Sequence, residues 1–291
     1  MREIQLRAYG KINLGLDVVR KREDGYHELR MIMQTVGLYD ELRMKMIPED
    51  EIRLSVNLSF LPTNQNNLIY KAIALLKEEF GITQGVAVKL NKRIPVAAGM
   101  AGGSSNAAAA LVGMNRLFHL GLSKQKLMEY GVRLGADVPY CIMRGTALSE
   151  GIGEVLTPLP PIPPCYILLA KPGISVSTKY VYQNLKIEEL THHPDIDGMI
   201  ESIESKSLKG ICDRLENVLE TVTIKDYPMI QDVKQFMIDH GAENALMSGS
   251  GPTIFGIFRK RSAAKKALEE MHQLTFIKQA YVVEPYNVRR R

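Results

Sequence analysis

Apolar positions in the first part of the chain come in short β-branched or alternating runs. Residues 4–6 and 12–19 predict two strands, Asp24-Gly25 marks a turn, and residues 31–36 and 42–46 predict two more strands. The spacing then changes. Leu68, Ala72, Leu75, Leu76 and Phe80 recur at helical intervals behind Asn66 and Asn67 as caps, and Gly81 is the stop. Residues 86–90 read as another strand. Ser104-Ser105 opens an alanine-rich helix to about Phe118, alanine being the strongest helix former. Ser123 caps a further helix that stops near Gly135.

Pro158-Leu159-Pro160-Pro161-Ile162-Pro163-Pro164 reads as a linker, because proline fixes φ and removes backbone donors. Past it, residues 166–170 predict a strand, followed by several helices. Residues 244–247 and 253–258 predict two strands. Residues 262–274 form a helix with Ala264, Leu268 and Met271 inward, and residues 280–283 a last strand. The order β, helices, β, β, α, β is a split ferredoxin-like plan with added helices. The chain reads as α+β in two domains, 1–157 and 158–291.

Composition narrows the class. A length of 291 residues suits about two domains. Hydrophobic residues at 45% and charged residues at 24% exclude a disordered or fibrous chain. Cys141, Cys165 and Cys212 form no CxxC pair, which argues against a zinc ribbon and for a reducing compartment. The net charge of +5 favours anionic ligands without demanding nucleic acid. Residues 1–16 alternate charged and apolar positions, unlike a signal peptide. Residues 94–115 carry no charge, but Gly102-Gly103-Ser104-Ser105-Asn106 interrupts them, which suits a membrane span poorly. The expectation is a soluble, cytoplasmic protein.

The segment richest in chemistry is Pro95-Val96-Ala97-Ala98-Gly99-Met100-Ala101-Gly102-Gly103-Ser104-Ser105. Its glycines let backbone approach a ligand, and it runs into a helix N-terminus. There free N–H groups and the positive end of the helix dipole suit phosphate. The hydroxyls of Ser104 and Ser105 are further candidate contacts to phosphate or to phosphate-bound Mg2+. The bland alternative is a small-residue turn capped by serine. No G-x-x-x-x-G-K-[ST] or G-x-G-x-x-G sequence accompanies it, nor the H-R-D and D-F-G of protein kinases. Lys11 heads an apolar strand, where an edge lysine against aggregation is the alternative reading. Asp137, in Gly135-Ala136-Asp137-Val138-Pro139, follows a helix end and would serve equally as a cap. Met247 to Thr253 joins two strands as a hairpin or touches ligand.

Taken in order, Lys11-Ile12-Asn13-Leu14, Asp24-Gly25-Tyr26-His27-Glu28, the glycine loop, Gly135 to Pro139 and Gly249-Ser250-Gly251 closely resemble the GHMP kinase superfamily over nearly the whole chain. The DGYHE and K-I-N-L segments resemble the branch acting on a cytidine-diphosphate-linked methylerythritol. The resemblance implies an N-terminal domain like domain 2 of ribosomal protein S5, binding ATP, and a C-terminal ferredoxin-like domain binding substrate. It implies transfer of the γ-phosphoryl group of ATP to the 2-hydroxyl of that substrate, on the non-mevalonate route to isoprenoid precursors. Lys11 and Asp137 match the catalytic pair, and Pro95 to Ser105 the ATP loop. Asn13, Tyr26, His27, Thr178 and Tyr182 match substrate-binding positions, with the two tyrosines sandwiching cytosine. Mg2+ is expected with ATP, though no carboxylate ligand stands out. The expected partner is the small-molecule substrate alone, with no nucleic acid and no membrane, and the protein a monomer or homodimer.

One departure matters. Ala97, Ala98 and Ala101 stand where the family's loop is richer in glycine, which costs backbone freedom. Phosphate binding is expected to survive. Two rival readings are a homoserine or mevalonate kinase of the same superfamily, against which DGYHE argues, and a non-catalytic RNA-binding protein. The latter has the basic tail Arg289-Arg290-Arg291 in its favour but no interleaving of aromatic and basic residues.

Overall fold

Where the pattern predicts four short strands, the chain makes two long ones. In the computed structural model, which describes residues 3–287, β1 (Glu3–Lys21) and β2 (His27–Ile47) are 19 and 21 residues long. The reason lies in burial. Residues 3–9 of β1 alternate in exposure, but residues 10–18 are buried without a break, as are residues 31–36 of β2. A strand covered on both faces loses its period-2 signal, and polar Lys11, Asn13 and Gln34 interrupt the apolar run while sitting inside.

The elements that follow are β3 (Ile52–Val56), α1 (Leu68–Glu79), β4 (Gly85–Asn91), α2 (Gly102–Leu117), α3 (Lys124–Val132) and α4 (Asp137–Met143). Then come β5 (Thr146–Gly151), β6 (Val155–Pro158), β7 (Tyr166–Pro172), α5 (Thr178–Asn184), α6 (Ile196–Glu204), α7 (Leu208–Asp213) and β8 (Glu216–Asn217). The last are α8 (Glu220–Asp226), α9 (Met229–Asp239), β9 (Asn244–Met247), β10 (Ile254–Phe258), α10 (Arg261–Met271) and β11 (Ile277–Val283). The basic tail Arg289-Arg290-Arg291 lies outside the described residues.

Two compact units are present, and neither is one continuous stretch: residues 3–10, 38–96 and 101–143 make one, residues 11–37, 97–100 and 144–287 the other. In the first unit β4 pairs antiparallel with β2, from Glu41↔Asn91 to Ile47↔Gly85, and β3 runs parallel to β4. Asn67 caps α1 by accepting from the Ile69 N–H at 2.9 Å. The helix buries Ile69, Ala72, Ile73 and Leu76. The predicted stripe is shifted, since Leu75 is half-buried and Phe80 exposed. α2 packs on α1 and α4 through a row of buried alanines. Ser123 caps α3, accepting from the Lys126 N–H at 3.1 Å.

In the second unit β5 pairs with β2 from Leu29↔Gly151 to Gln34↔Thr146, β6 pairs with β5, and β8 runs parallel to β1 at Gly15↔Glu216. A separate antiparallel sheet has the order β11-β7-β10-β9, the layout predicted for the C-terminal half. The proline-rich stretch after β6 has this unit on both flanks and buries Ile162. β5 escapes sequence reading because its inward positions are Ala147, Ser149 and Gly151, a period in size and not in hydropathy.

All three cysteines are free and buried. Burial pushes the Cys165 and Cys212 thiols up to about 12, so almost no thiolate forms near neutral pH. Iodoacetamide is therefore expected to leave both unmodified in the folded protein and to label them once denaturant is added, as read by intact mass. Rapid native labelling of either would show its cover to be open. No helix among the described residues is long and apolar enough to cross a membrane.

Candidate active site

Lys11 is buried on β1, where its Nζ donates to Asn13 Oδ1 at 2.7 Å. Asn13 is fully buried, and its amide donates to the Met31 sulfur at 3.4 Å. The backbone N–H of Lys11 donates to the carbonyl of Met100 at 3.2 Å, so the strand that carries the amine also holds the glycine loop. That stretch of loop is gripped from another side. Ser248 Oγ donates to the Gly99 carbonyl at 2.9 Å, and Gly99 has φ of 71°. A Cβ on Gly99 would fall on the Ser248 carbonyl oxygen, so glycine is required there by space as well as by torsion.

The gripping loop is itself pinned. The Asn217 amide donates to the carbonyls of Met247 and Gly249, both at 2.8 Å. Glu220 accepts from the Met247 N–H at 2.8 Å and pairs with Lys234 at 2.6 Å. Burial raises the Glu220 carboxyl above its ordinary value, and Lys234 opposes that rise. Residues 248–253 join β9 to β10 as an antiparallel connection, the hairpin reading of this segment, and also touch the glycine loop. Thr178, exposed at the start of α5, shares a hydrogen bond of 2.8 Å with Ser250.

In the first unit the loop enters α2. Ala101 precedes the helix with φ of 51°, and Ala97 has φ of 49°, so two of the alanines noted in the sequence adopt the left-handed conformation that glycine favours. Ala101 offers no side-chain cap, which leaves the first N–H groups of α2 open. The helix starts at Gly102, two residues before the predicted Ser104. Ser105 is buried, and its hydroxyl donates to the Tyr9 carbonyl at 2.7 Å, which ties α2 to β1. The hydroxyl expected to face phosphate is thus engaged elsewhere, while Ser104 is half-buried. Pro95 is buried and Val96 half-buried at the start of the loop.

Asp137 does not merely follow a helix: after a break from α3 it is the first residue of α4, half-buried, with the Val138 N–H donating to the Gly135 carbonyl at 3.0 Å. A Cβ on Gly135 would stand 4.0 Å from the Ser104 hydroxyl, which places the Asp137 turn beside the start of α2.

Sequence reading missed a buried charge cluster in the same unit. Asp40 is fully buried and accepts four hydrogen bonds: from Lys92 Nζ at 2.6 Å, the Arg93 N–H at 2.6 Å, the Ile94 N–H at 2.8 Å and Asn106 Nδ2 at 2.8 Å. A signal was present. Leu38, Leu42 and Met44 share the inward face of β2, and Asp40 falls on that parity. Val86, Val88 and Leu90 do the same on β4, and Lys92 continues that parity past its end. With Leu42 opposite Leu90, two steps further set Asp40 against Lys92.

The remaining predicted residues lie in the second unit. Tyr26 follows the Asp24-Gly25 turn and is 60% exposed, its N–H donating to Asp24 Oδ1 at 3.0 Å. His27 faces Tyr182 with ring centroids 5.2 Å apart and planes at 34°. Burial, and then the charge of Lys21, holds the His27 imidazole below its ordinary pKa, so it is neutral at pH 7. The structure thus pairs Tyr182 with His27 and leaves the Tyr26 ring on the surface. Among the described residues no group of three or more histidine, cysteine or carboxylate side chains is arranged to hold a metal.

Residues 67–145 match the family model for the GHMP kinases N terminal domain, and residues 194–277 that for the GHMP kinases C terminal domain. A 4-diphosphocytidyl-2-C-methyl-D-erythritol kinase from Lachnospira eligens is 56% identical over 98% of this chain and 99% of its own. One of the same name from Lachnoclostridium phytofermentans is 56% identical over 96% of each chain. Another from Alkaliphilus oremlandii is 50% identical over 99% of this chain and 98% of its own. Among solved structures, a 4-(cytidine 5'-diphospho)-2C-methyl-D-erythritol kinase superposes with a TM-score of 0.85 at 30% identity, covering 98% of this chain and 100% of that one. A homoserine kinase from Cytophaga hutchinsonii shares the fold, with a TM-score of 0.77 at 19% identity over 99% and 95% of the two chains.

Proposed function

This chain belongs to the 4-diphosphocytidyl-2-C-methyl-D-erythritol kinases of the GHMP kinase family, and from that premise we propose how its residues carry out the transfer. The enzyme is an ATP-dependent kinase with the two-domain α+β GHMP fold. It phosphorylates the 2-hydroxyl of the cytidine-diphosphate-linked methylerythritol. The oxygen of that hydroxyl attacks the γ-phosphorus, the bond to the β-phosphate oxygen breaks, and ADP leaves.

We assign the phosphates of ATP to the run Pro95 to Ser105. The support is the uncapped start of α2 and the clamped backbone of Gly99. The backbone N–H groups are the main contacts in this reading, with the Ser104 hydroxyl beside them. Asp137 accepts the proton of the attacking hydroxyl, and Lys11 holds the attacking oxygen and its developing charge. Such a transfer needs positioning and charge stabilisation more than covalent chemistry. One observation carries the assignment: the residue bearing the amine is bonded through its own N–H to Met100 inside the loop. Mg2+ would enter with ATP, neutralising phosphate charge when bound. Among the described residues no group of three or more carboxylate, histidine or cysteine side chains could hold it, so its sphere would be built mainly of phosphate and water oxygens, with the Ser104 hydroxyl the side chain suited to join them.

Tyr26, His27 and Tyr182 form the proposed cytosine site, with Asn13 and Thr178 orienting the substrate nearer the hydroxyl. A neutral His27 ring both donates and accepts, which suits a base edge. Tyr26→Ala is expected to weaken the cytidine substrate by about 1–3 kcal/mol, the worth of one stacked base, with ATP affinity nearly unchanged. Calorimetry with each ligand reads this, and equal weakening of both would assign Tyr26 to packing.

ADP release over a panel of alcohols tests the reaction itself. Turnover is expected with the cytidine-diphosphate-linked methylerythritol and background rates with mevalonate and homoserine. Faster turnover of either of the latter would overturn the substrate.

A further inference from the structure

The glycine loop spans eleven residues from Pro95 to Ser105, and the residues immediately before and after it meet at one carboxylate. The Ile94 N–H donates to Asp40 Oδ1 at 2.8 Å, and Asn106 Nδ2 donates to Asp40 Oδ2 at 2.8 Å. The Arg93 N–H and the Lys92 amine take up the remaining acceptor sites of that carboxylate, both at 2.6 Å. Lys92 is held in turn. Its amine also donates to the Ile94 carbonyl at 2.9 Å, and the Asn57 side chain bonds both its N–H and its carbonyl, at 2.7 and 3.2 Å. The Lys92 side chain is 5% exposed and that of Asp40 fully buried, so this pair is out of reach of solvent.

We infer that Asp40, with Lys92 as its counter-charge, is a positioning residue for ATP that fixes the separation of the two ends of the phosphate loop. The inference rests on the reading of that loop as the phosphate site. Its physical content is entropic. A loop whose ends are held at one point has few conformations left to lose when ligand binds, and a displacement of about 1 Å in a positioned group costs up to ~100-fold in function. The start of α2 rests on the same cluster, since a Cβ on Gly102 would stand 2.7 Å from the Lys92 amine and 3.1 Å from Ile94 Cγ2. The N–H groups aimed at phosphate are thereby set by a charge pair that never touches it. Burial lowers the Lys92 pKa and Asp40 opposes that fall, so removal of either member would leave the other charge buried without its partner.

Because removing one member strands the other charge, the test uses variants that strand none. Asn106→Leu frees the far end of the loop, and the double variant Asp40→Asn/Lys92→Met neutralises the pair at similar volume. Each is expected to raise the Kd and KM for ATP by about 10- to 100-fold while KM for the alcohol stays within about twofold. Leu111→Ala, a core change in the same helix, supplies a variant of lowered stability, and its KM for ATP is expected to stay near the parent value. Should the double variant fail to fold, Asn106→Leu decides. An Asn106→Leu enzyme that binds ATP like the parent, or weakens both substrates equally, overturns the inference. Gly103→Val, run alongside, separates the two claims: if it leaves ATP binding intact, the loop reading falls first and the positioning role falls with it.

Discussion

Asp137→Asn is expected to lower turnover by about 10²–10⁴-fold, the usual loss when a proton acceptor is removed, with ATP affinity within a few-fold of the parent. The substitution keeps shape and removes charge. Asp137 is half-buried at the first position of α4, so an amide is tolerated there and the fold is expected to persist. A fall in kcat with little change in KM would mean that the interaction is made mainly in the transition state. Lys11→Ala is expected to act similarly on kcat, with an added cost in stability of about 1–3 kcal/mol, because Asn13 Oδ1 is left buried without its donor. The thermal midpoint should therefore be taken first, and turnover measured well below it. The double variant is expected to lose less than the two single losses combined, since coupled residues act as a unit. Near-parent turnover in Asp137→Asn would leave that carboxylate a helix-start residue and nothing more.

The second large effect is expected at Gly103. Gly102 and Gly103 look equivalent in the sequence, and the structure separates them. A Cβ on Gly103 meets only Leu68 Cδ1 at 3.5 Å, and the residue is exposed in the first turn of α2. Gly103→Val is therefore expected to fold normally and to abolish ATP binding, its side chain filling the space before the open N–H groups. Gly102→Val would push into Lys92 and Ile94 and is expected to lose stability as well as ATP. Calorimetric titration with ATP, paired with thermal denaturation, reads both. A folded Gly103→Val protein that binds ATP like the parent would show the loop to be structural only.

These two glycines also mark how far the sequence could be read. Gly99 and the run into α2 were legible because close backbone approach and positive φ need glycine, which stays in the sequence as their trace. The C-terminal sheet was legible because β9, β10 and β11 are short and bounded by turns. The joining of four short runs into β1 and β2 was hidden, since burial on both faces removes alternation and admits polar residues such as Lys11 and Gln34. Asp40 was hidden for a related reason: an acidic residue in a strand reads as a surface position until register places it opposite Lys92. Ser105 was over-read, because a hydroxyl beside a glycine loop has two uses, and here the Tyr9 carbonyl takes it.

The pairing of β8 with β1 has a consequence for biosynthesis. Gly15 lies opposite Glu216, so β1 receives this neighbour some 200 residues after it is made, which at ~5–20 residues per second means roughly 10–40 s on the ribosome. Through that interval the edge of β1 that β8 later covers has open backbone groups, the kind of edge that recruits foreign strands. A nascent chain stalled ahead of α7 would keep that edge bare however well its first helices had formed. A translation pause in that window is therefore expected to prolong the exposure of that edge.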